Sequence, residues 1–238
     1  MSNHNRILVT GGAGFIGGTM IRRLLNNTNS IIYNIDSLNY ASDLTSINRT
    51  KTSKERHFHL NVNLKNIEDT FKAVMEANPD IIYHFAAESH VDRSISDPKI
   101  FIDSNIVGTF NLLESSRSYW KSLSGERKDN FKFIHISTDE VFGSLNKSDK
   151  FKETSPYDPR SPYSATKAAS DHLAKAWFHT YNFPSIITNC SNNYGPFQFP
   201  EKLIPKTILK AIKGEEIPVY GNGENVRDWL FVEDHIDA

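Results

Sequence analysis

Short apolar runs alternate with longer amphipathic stretches from the N-terminus of this chain onward. Arg6–Thr10 reads as an apolar strand, after which Phe15, Ile16, Met20, Ile21, Leu24 and Leu25 recur at helical spacing. Ile31–Ile35 is a second strand, residues 57–62 a third and 80–85 a fourth. Residues 66–77 carry a helical pattern stopped by Asn78-Pro79. Residues 97–120 form a long amphipathic helix, with a cap expected at Asp97-Pro98 and Asn105 facing the sheet together with Ile102, Ile106 and Phe110. Phe131, Phe133, Ile134 and Ile136 mark a buried strand that ends in four polar residues, 137–140. A polar, proline-studded loop follows, then a helix opened by Ser161, a capping residue, and Pro162, which suits a first helical position. Ser185–Cys190 is a further strand, and residues 37–56 are polar enough to read as loop. This alternation predicts an α/β fold, a doubly wound parallel sheet with right-handed crossovers. From Ser191 the texture becomes rich in proline and aromatic residues, with a helix expected over 203–212 and a short strand over 217–220. We therefore expect one domain over residues 1–190 and the start of a smaller, incomplete substrate-binding region over 191–238.

Composition narrows the function classes. The 238 residues carry a formal net charge of −1, and no basic patch suited to nucleic acid or an anionic membrane stands out. The single Cys190 excludes an internal disulfide and a cysteine-based zinc site. No apolar run approaches the ~20 residues of a membrane span. A cytoplasmic protein with a small-molecule substrate, without nucleic-acid or membrane partners, is expected.

The first candidate chemistry follows the first strand directly. Thr10-Gly11-Gly12-Ala13-Gly14-Phe15-Ile16-Gly17 satisfies G-x-G-x-x-G through Gly12, Gly14 and Gly17, and G-x-x-G-x-x-G through Gly11, Gly14 and Gly17. Such glycines let backbone approach a pyrophosphate that sits on a helix N-terminus. Asp36 ends the second strand, about twenty residues further on, where a carboxylate meets ribose hydroxyls. Its charge would repel a 2′-phosphate, so NAD is expected in preference to NADP. A Rossmann-like dinucleotide domain is the implication.

The second candidate is Thr138, Asp139 and Glu140 at the end of a strand, with Tyr163 and Lys167 four residues apart on one helix face. Ligands of open α/β sheets bind at the carboxyl ends of strands. Neighbouring residues of a regular strand point to opposite faces, so the strand must end or twist at Thr138 for both acids to reach one ligand. Other chemistries fit less well. The nine histidines fall at no familiar metal spacing, neither His57/His59 nor His84/His90 included, and are read as surface or satisfied core residues; no metal is expected. A G-x-S-x-G nucleophile elbow is absent.

T-G-G-A-G-F-I-G together with Y-x-x-x-K resembles the extended short-chain dehydrogenase/reductases. A-A-E-S-H-V-D-R-S, S-T-D-E-V-F-G, S-P-Y-S-A-T-K-A-A-S-D-H, C-S-N-N-Y-G-P, F-P-E-K-L-I-P and R-D-W-L-F-V-E-D-H are, more narrowly, similar to the dTDP-glucose 4,6-dehydratase family. The resemblance implies an NAD-dependent lyase that removes water from a nucleoside-diphosphate glucose and leaves a 4-keto-6-deoxy sugar. In that reading Tyr163 takes the 4-hydroxyl proton while Thr138 holds the oxygen. Glu140 takes the C5 proton, and protonated Asp139 gives its own to the departing 6-hydroxyl. Lys167 and the cofactor's positive ring are expected to lower the Tyr163 pKa. The implied cofactor residues are Gly11, Gly14, Phe15, Ile16, Gly17, Asp36, Leu38, Asn39, Val62, Ala86, Ala87, Ser104, Tyr163, Lys167 and Asn193. The implied substrate residues are Ser89, Thr138, Asn192, Lys202, Leu203, Pro218, Tyr220 and Arg227, with Lys202 and Arg227 meeting a diphosphate. A homodimer paired through the helices of Asn105 and Tyr163 is also implied. Sugar-nucleotide epimerases share Tyr and Lys but lack the acid pair, and an NAD-binding chain without catalysis is a third reading. Three features depart from the family pattern: Asn61 in place of an Asp, Phe142 in place of a Tyr, and an end at Ala238. From the last we expect a truncated chain with apolar surface exposed over 191–238.

Overall fold

Strands β1 (Arg6–Thr10), β2 (Ile31–Ile35), β3 (His57–Leu60), β4 (Ile81–His84), β5 (Lys132–Thr138) and β6 (Ser185–Cys190) pair in parallel in the order β3-β2-β1-β4-β5-β6. This is a computed structural model, and it describes residues 5–50, 53–146, 149–219 and 221–238. The strand order reverses between β1 and β4, which opens a crevice at the carboxyl edge of the sheet. Register brings the strand ends level there: Thr10 lies beside Ile35 and His84, and Thr138 beside Cys190.

Both faces of the sheet are covered, as parallel strands require. α1 (Phe15–Asn27) packs Ile21 and Leu25 against Ile7, Val9 and Ile32 on one face. α2 (Thr45–Asn48) and α3 (Ser53–Arg56) interrupt the stretch expected to be loop, with Ile47 buried in that same layer. α4 (Ile67–Ala77) is capped by the Asn66 side chain, which accepts from the Glu68 and Asp69 N–H groups; it stops at Asn78, which is left-handed at φ 46°. α5 (Val91–Ser96), α6 (Pro98–Phe101), α7 (Gly108–Ser122) and α8 (Gly125–Asn130) follow, and α9 (Pro162–Tyr181) lies across β5 and β6. On this second face Phe131, Phe133, Phe183 and Leu112 form the core.

The long helix expected over 97–120 is broken in register. Ile102–Val107 is π-helical and joins α6 to α7. Each π turn inserts an extra residue and rotates the face that follows. Asn105 is accordingly buried, whereas Ile102 and Phe110, expected beside it, are 46% and 39% exposed. Polar contacts fix that orientation: Asn105 accepts from the Glu88 N–H at 2.8 Å and donates to the Glu88 carbonyl and to Thr166 Oγ1, both at 3.0 Å. The Asp97 side chain makes no capping bond.

Beyond β6, β7 (Asn192–Tyr194) and β8 (Trp229–Phe231) form a separate parallel pair. α10 (Leu203–Lys213) lies between them, and α11 (Val232–Asp237) returns to α1 through an Arg23–Asp237 ion pair. The strand expected over 217–220 is not formed. Residues 217–219 pair with no strand, Ile217 and Val219 are 42% and 69% exposed, and Pro218 has no N–H to donate. Tyr220 lies outside the described residues. Exposed apolar side chains do occur over 191–238, among them Phe197, Leu203, Ile208 and Ile212. Among the described residues no helix is long and apolar enough to cross a membrane, and no cluster of three or more His, Cys, Asp or Glu side chains suits a metal ion.

Candidate active site

A cleft of about 740 Å³ opens over the carboxyl edge of the sheet. Its floor begins at the glycine turn. Gly11 has φ +71°, donates to the Ile35 carbonyl at 2.8 Å, and a Cβ there would stand 2.7 Å from the Ala86 backbone. A Cβ on Gly17 would collide with the Gly11 carbonyl, so the start of α1 seats directly under the turn. Gly11, Gly14 and Gly17 line the cleft; Gly12 points inward and donates to Asn34 Oδ1 at 3.0 Å. The G-x-x-G-x-x-G spacing is therefore the one that faces the ligand side.

Phe15, Ile16, Asp36, Asn39, Val62, Ala86, Ala87, Ser104 and Asn193 also line the cleft. Asp36 accepts from the Ala13 N–H at 3.0 Å and the Leu38 N–H at 2.9 Å, which fixes its carboxylate at the end of β2. Leu38 does not line the cleft: its backbone is left-handed at φ 54° and its side chain is 43% exposed. These features suit a dinucleotide: a collision-free backbone cradle, the open N-terminus of α1, and an acid at the neighbouring strand end.

The reactive groups converge at the end of β5. The strand stops at Thr138 and the chain turns into a 3₁₀ segment, Asp139–Phe142, as two acids serving one ligand require. Thr138 Oγ1 accepts from the Glu140 N–H and donates to Asp139 Oδ1, both at 3.2 Å. Facing it, Ser161 and Ser164 form a reciprocal capping box that starts α9 and sets the height of Tyr163. Thr138, Glu140, Tyr163 and Lys167 line the cleft, whereas Asp139 stands just behind its wall.

Both acids are shifted upward. Burial raises the Asp139 pKa, the Thr138 hydrogen bond and local backbone N–H groups oppose the rise, and Asp228 adds to it. Burial and Asp139 also raise Glu140, but Arg227 and Lys202 oppose the shift. Burial and Glu140 push the Tyr163 phenol up, and a hydrogen bond with Thr138 opposes them. The buried Lys167 ammonium donates to the Ile136 carbonyl at 2.8 Å. Cys190 lines the same wall, and burial raises its thiol to about 11, so it is a poor nucleophile.

Ser89, Asn192, Lys202, Leu203 and Arg227 line the far end of the cleft, and Lys202 donates to the Ser89 carbonyl at 3.1 Å. Pro218 does not line it. The sequence reading missed Lys65, Gln198, Glu201, Asn225 and Trp229, which also line the cleft. They come from loops and from β8, and only the neighbouring F-P-E-K and R-D-W motifs pointed near them. Phe142 turns away and packs its ring 5.1 Å from Tyr157, and Asn61 is exposed beside the cleft residue Val62. His84, fully inside the sheet, is satisfied by Thr10 Oγ1 at 2.7 Å and Thr109 Oγ1 at 2.9 Å.

The sequence profile of the family described as GDP-mannose 4,6 dehydratase matches residues 8–238. A dTDP-glucose 4,6-dehydratase of Neisseria meningitidis serogroup B is 52% identical over 234 residues, 98% of this chain and 66% of that protein. The chain thus spans about two thirds of the length of such curated relatives. Among solved structures, a dTDP-glucose 4,6-dehydratase of Bacillus anthracis in complex with NAD is similar at TM-score 0.85 and 40% identity, over 98% of this chain and 69% of that one. The dTDP-glucose 4,6-dehydratase of Streptomyces venezuelae with NAD and TYD bound is similar at TM-score 0.88 and 38% identity, over 98% and 70%.

Proposed function

The chain belongs to the GDP-mannose 4,6 dehydratase family, and from that premise we propose that it removes water from dTDP-glucose, giving the 4-keto-6-deoxy sugar nucleotide with NAD as cofactor. The observation that carries this reading is the acid pair. Asp139 and Glu140 leave β5 on one 3₁₀ turn beside Tyr163; burial raises both, and two cations, Arg227 and Lys202, oppose the rise at Glu140. One group must begin protonated and its neighbour ionised, and those cations favour Glu140 as the ionised one.

Gly11, Gly14 and Gly17 would admit the pyrophosphate to the N-terminus of α1, Asp36 would hold the ribose, and Asn193 and Lys167 would flank the far half of the cofactor. When bound, NAD supplies the hydride acceptor at sugar C4 and the donor at C6. Tyr163 takes the proton of the 4-hydroxyl, and Thr138 holds that oxygen in line. The resulting ketone acidifies C5, and Glu140 removes its proton. Asp139 gives its proton to the 6-hydroxyl, which departs as water. Lys202 and Arg227 meet the diphosphate and at the same time oppose the rise in the Glu140 pKa.

Residues 191–238 are, in this reading, the start of the substrate-binding region, and a reducing cytoplasm suits a chain with one thiol. A homodimer through the Ile102–Val107 π segment with α7, and through α9, fits the exposed Ile102, Val107, Phe110, Phe178 and Tyr181. The test of function is the mass of dTDP-glucose after incubation with the chain and NAD. Loss of one water supports the dehydratase. An unchanged mass with inverted C4 would make it an epimerase, and an unchanged sugar would leave dinucleotide binding alone.

A further inference from the structure

One carboxylate behind the cleft has no part in the chemistry above. Asp171 is 1% exposed and lies on α9, one turn past Lys167. Its Oδ2 accepts from Ser137 Oγ at 2.8 Å and from the Tyr157 hydroxyl at 2.9 Å. Its Oδ1 is 3.0 Å from His135 Nε2, though off the line of a good hydrogen bond. A carboxylate this far from water persists as an anion only where such partners and a nearby cation replace its hydration.

The cation is Lys167. The residue is 4% exposed, and its ammonium donates to the Ile136 carbonyl. Burial lowers its pKa; Asp171 is the first of the charges opposing that drop and Cys190 of β6 the second. Two charged residues of one helix face thus grip successive residues of β5, Lys167 at Ile136 and Asp171 at Ser137. Thr138, Asp139 and Glu140 come next along the chain.

We propose that Asp171 is a positioning residue: it keeps the Lys167 ammonium charged and locks α9 to the end of β5, so that Tyr163 stays opposed to Thr138 and Glu140. The catalytic consequence rests on the function proposed above; the pairing of the two charges does not. Besides Lys167, the buried groups around Asp171 are His135, His84 and the Tyr157 phenol, and burial favours the neutral form of each. From β5, His135 is held by burial at about 4, and His84 of β4, its ring 5.2 Å away, is lower still than a free imidazole for the same reason. From the loop before α9, the Tyr157 phenol is pushed up by burial and by Asp171 itself, and His172, on α9, packs its ring 5.1 Å from the Tyr157 ring. Burial works to raise Asp171, but His135, Lys167 and Ser137 together hold it below the ordinary carboxylate value.

The test is a titration of Lys167 by NMR of Cε-labelled lysine, in the unaltered chain and in Asp171→Asn, with the resonance assigned by its loss in Lys167→Arg. Asn keeps the shape of the site and removes its charge. We expect the Lys167 midpoint to fall by about one pH unit or more. The alkaline limb of kcat should fall with it, while KM for the sugar nucleotide stays unchanged. A midpoint that does not move would overturn the proposal, because a merely structural Asp171 would alter melting and leave the Lys167 proton alone. If Asp171→Asn does not fold, the double variant Asp171→Asn/Lys167→Met decides. Recovered folding supports the charge pairing, and continued failure contradicts it. A chain inert toward sugar nucleotides would sink the proposed function and still leave the titration readable.

Discussion

Asp139 and Glu140 are neighbours in sequence, yet the chemistry asks opposite things of them. Asp139→Asn removes the acid and leaves the base. That variant should still exchange the C5 hydrogen of the sugar with solvent deuterium while losing water at least about a hundredfold more slowly, the lower end of general-acid assistance. Equal loss of exchange and dehydration would contradict the division of roles. Glu140→Gln should stop both, and it should also stabilise the fold. Burial and Asp139 raise the Glu140 pKa above its unfolded value. The folded state therefore binds that proton more tightly, and stability is lost as pH rises through the folded value. At neutral pH Gln relieves the penalty, so the melting temperature should rise. Below about pH 4, where free glutamate is itself protonated, the gain should vanish. A lower melting temperature at neutral pH would refute this.

Among elements, α9 governs the site because its first turn sets where Tyr163 stands. Ser161 accepts from the Ser164 N–H at 3.0 Å, and Ser164 returns a bond to the Ser161 N–H at 3.0 Å. Ser161→Ala should cost about 1 kcal/mol of stability, measured by urea denaturation, and lower kcat further by loosening Tyr163. A fall in stability with full activity would show that the cap does not position the phenol. This element was legible in the sequence because its signals are local: a cap, a proline at the first position, and Tyr and Lys one turn apart. The ends of β1, β2 and β6 were legible likewise, each bounded by polar or turn residues. The π segment at Ile102–Val107 was not. Its cause lies in distant partners, the Glu88 backbone and Thr166, which hold Asn105 inward against the apolar pattern of Ile102 and Phe110. β7 and β8 are three residues each and exist only by pairing across more than thirty residues of chain, too short to leave a period. Residues 217–219 show the converse, apolar residues without a partner strand and hence without a strand.

On the scale of the molecule, the parallel sheet does one thing for function: it brings the ends of β1, β2 and β4 level, with β5 running on to Thr138, beneath one cleft. The glycine turn and Asp36 were readable because each sits at such an end, and the Tyr163–Lys167 pair because one helical turn sets its spacing. Leu38 and Pro218 were carried by resemblance alone, and their side chains fall outside the cleft. The Asp171 cluster escaped the sequence reading altogether, since Ser137, Tyr157 and His135 meet it only after folding. If oxidation, elimination and reduction share this one cleft, a hydrogen taken from C4 of the sugar has nowhere to go but back to the same molecule. The decisive measurement is therefore the fate of deuterium placed at C4 of dTDP-glucose. The product should be lighter by one water and carry the deuterium at C6; an unchanged mass, or deuterium released to solvent, would contradict a dehydratase working within one closed site.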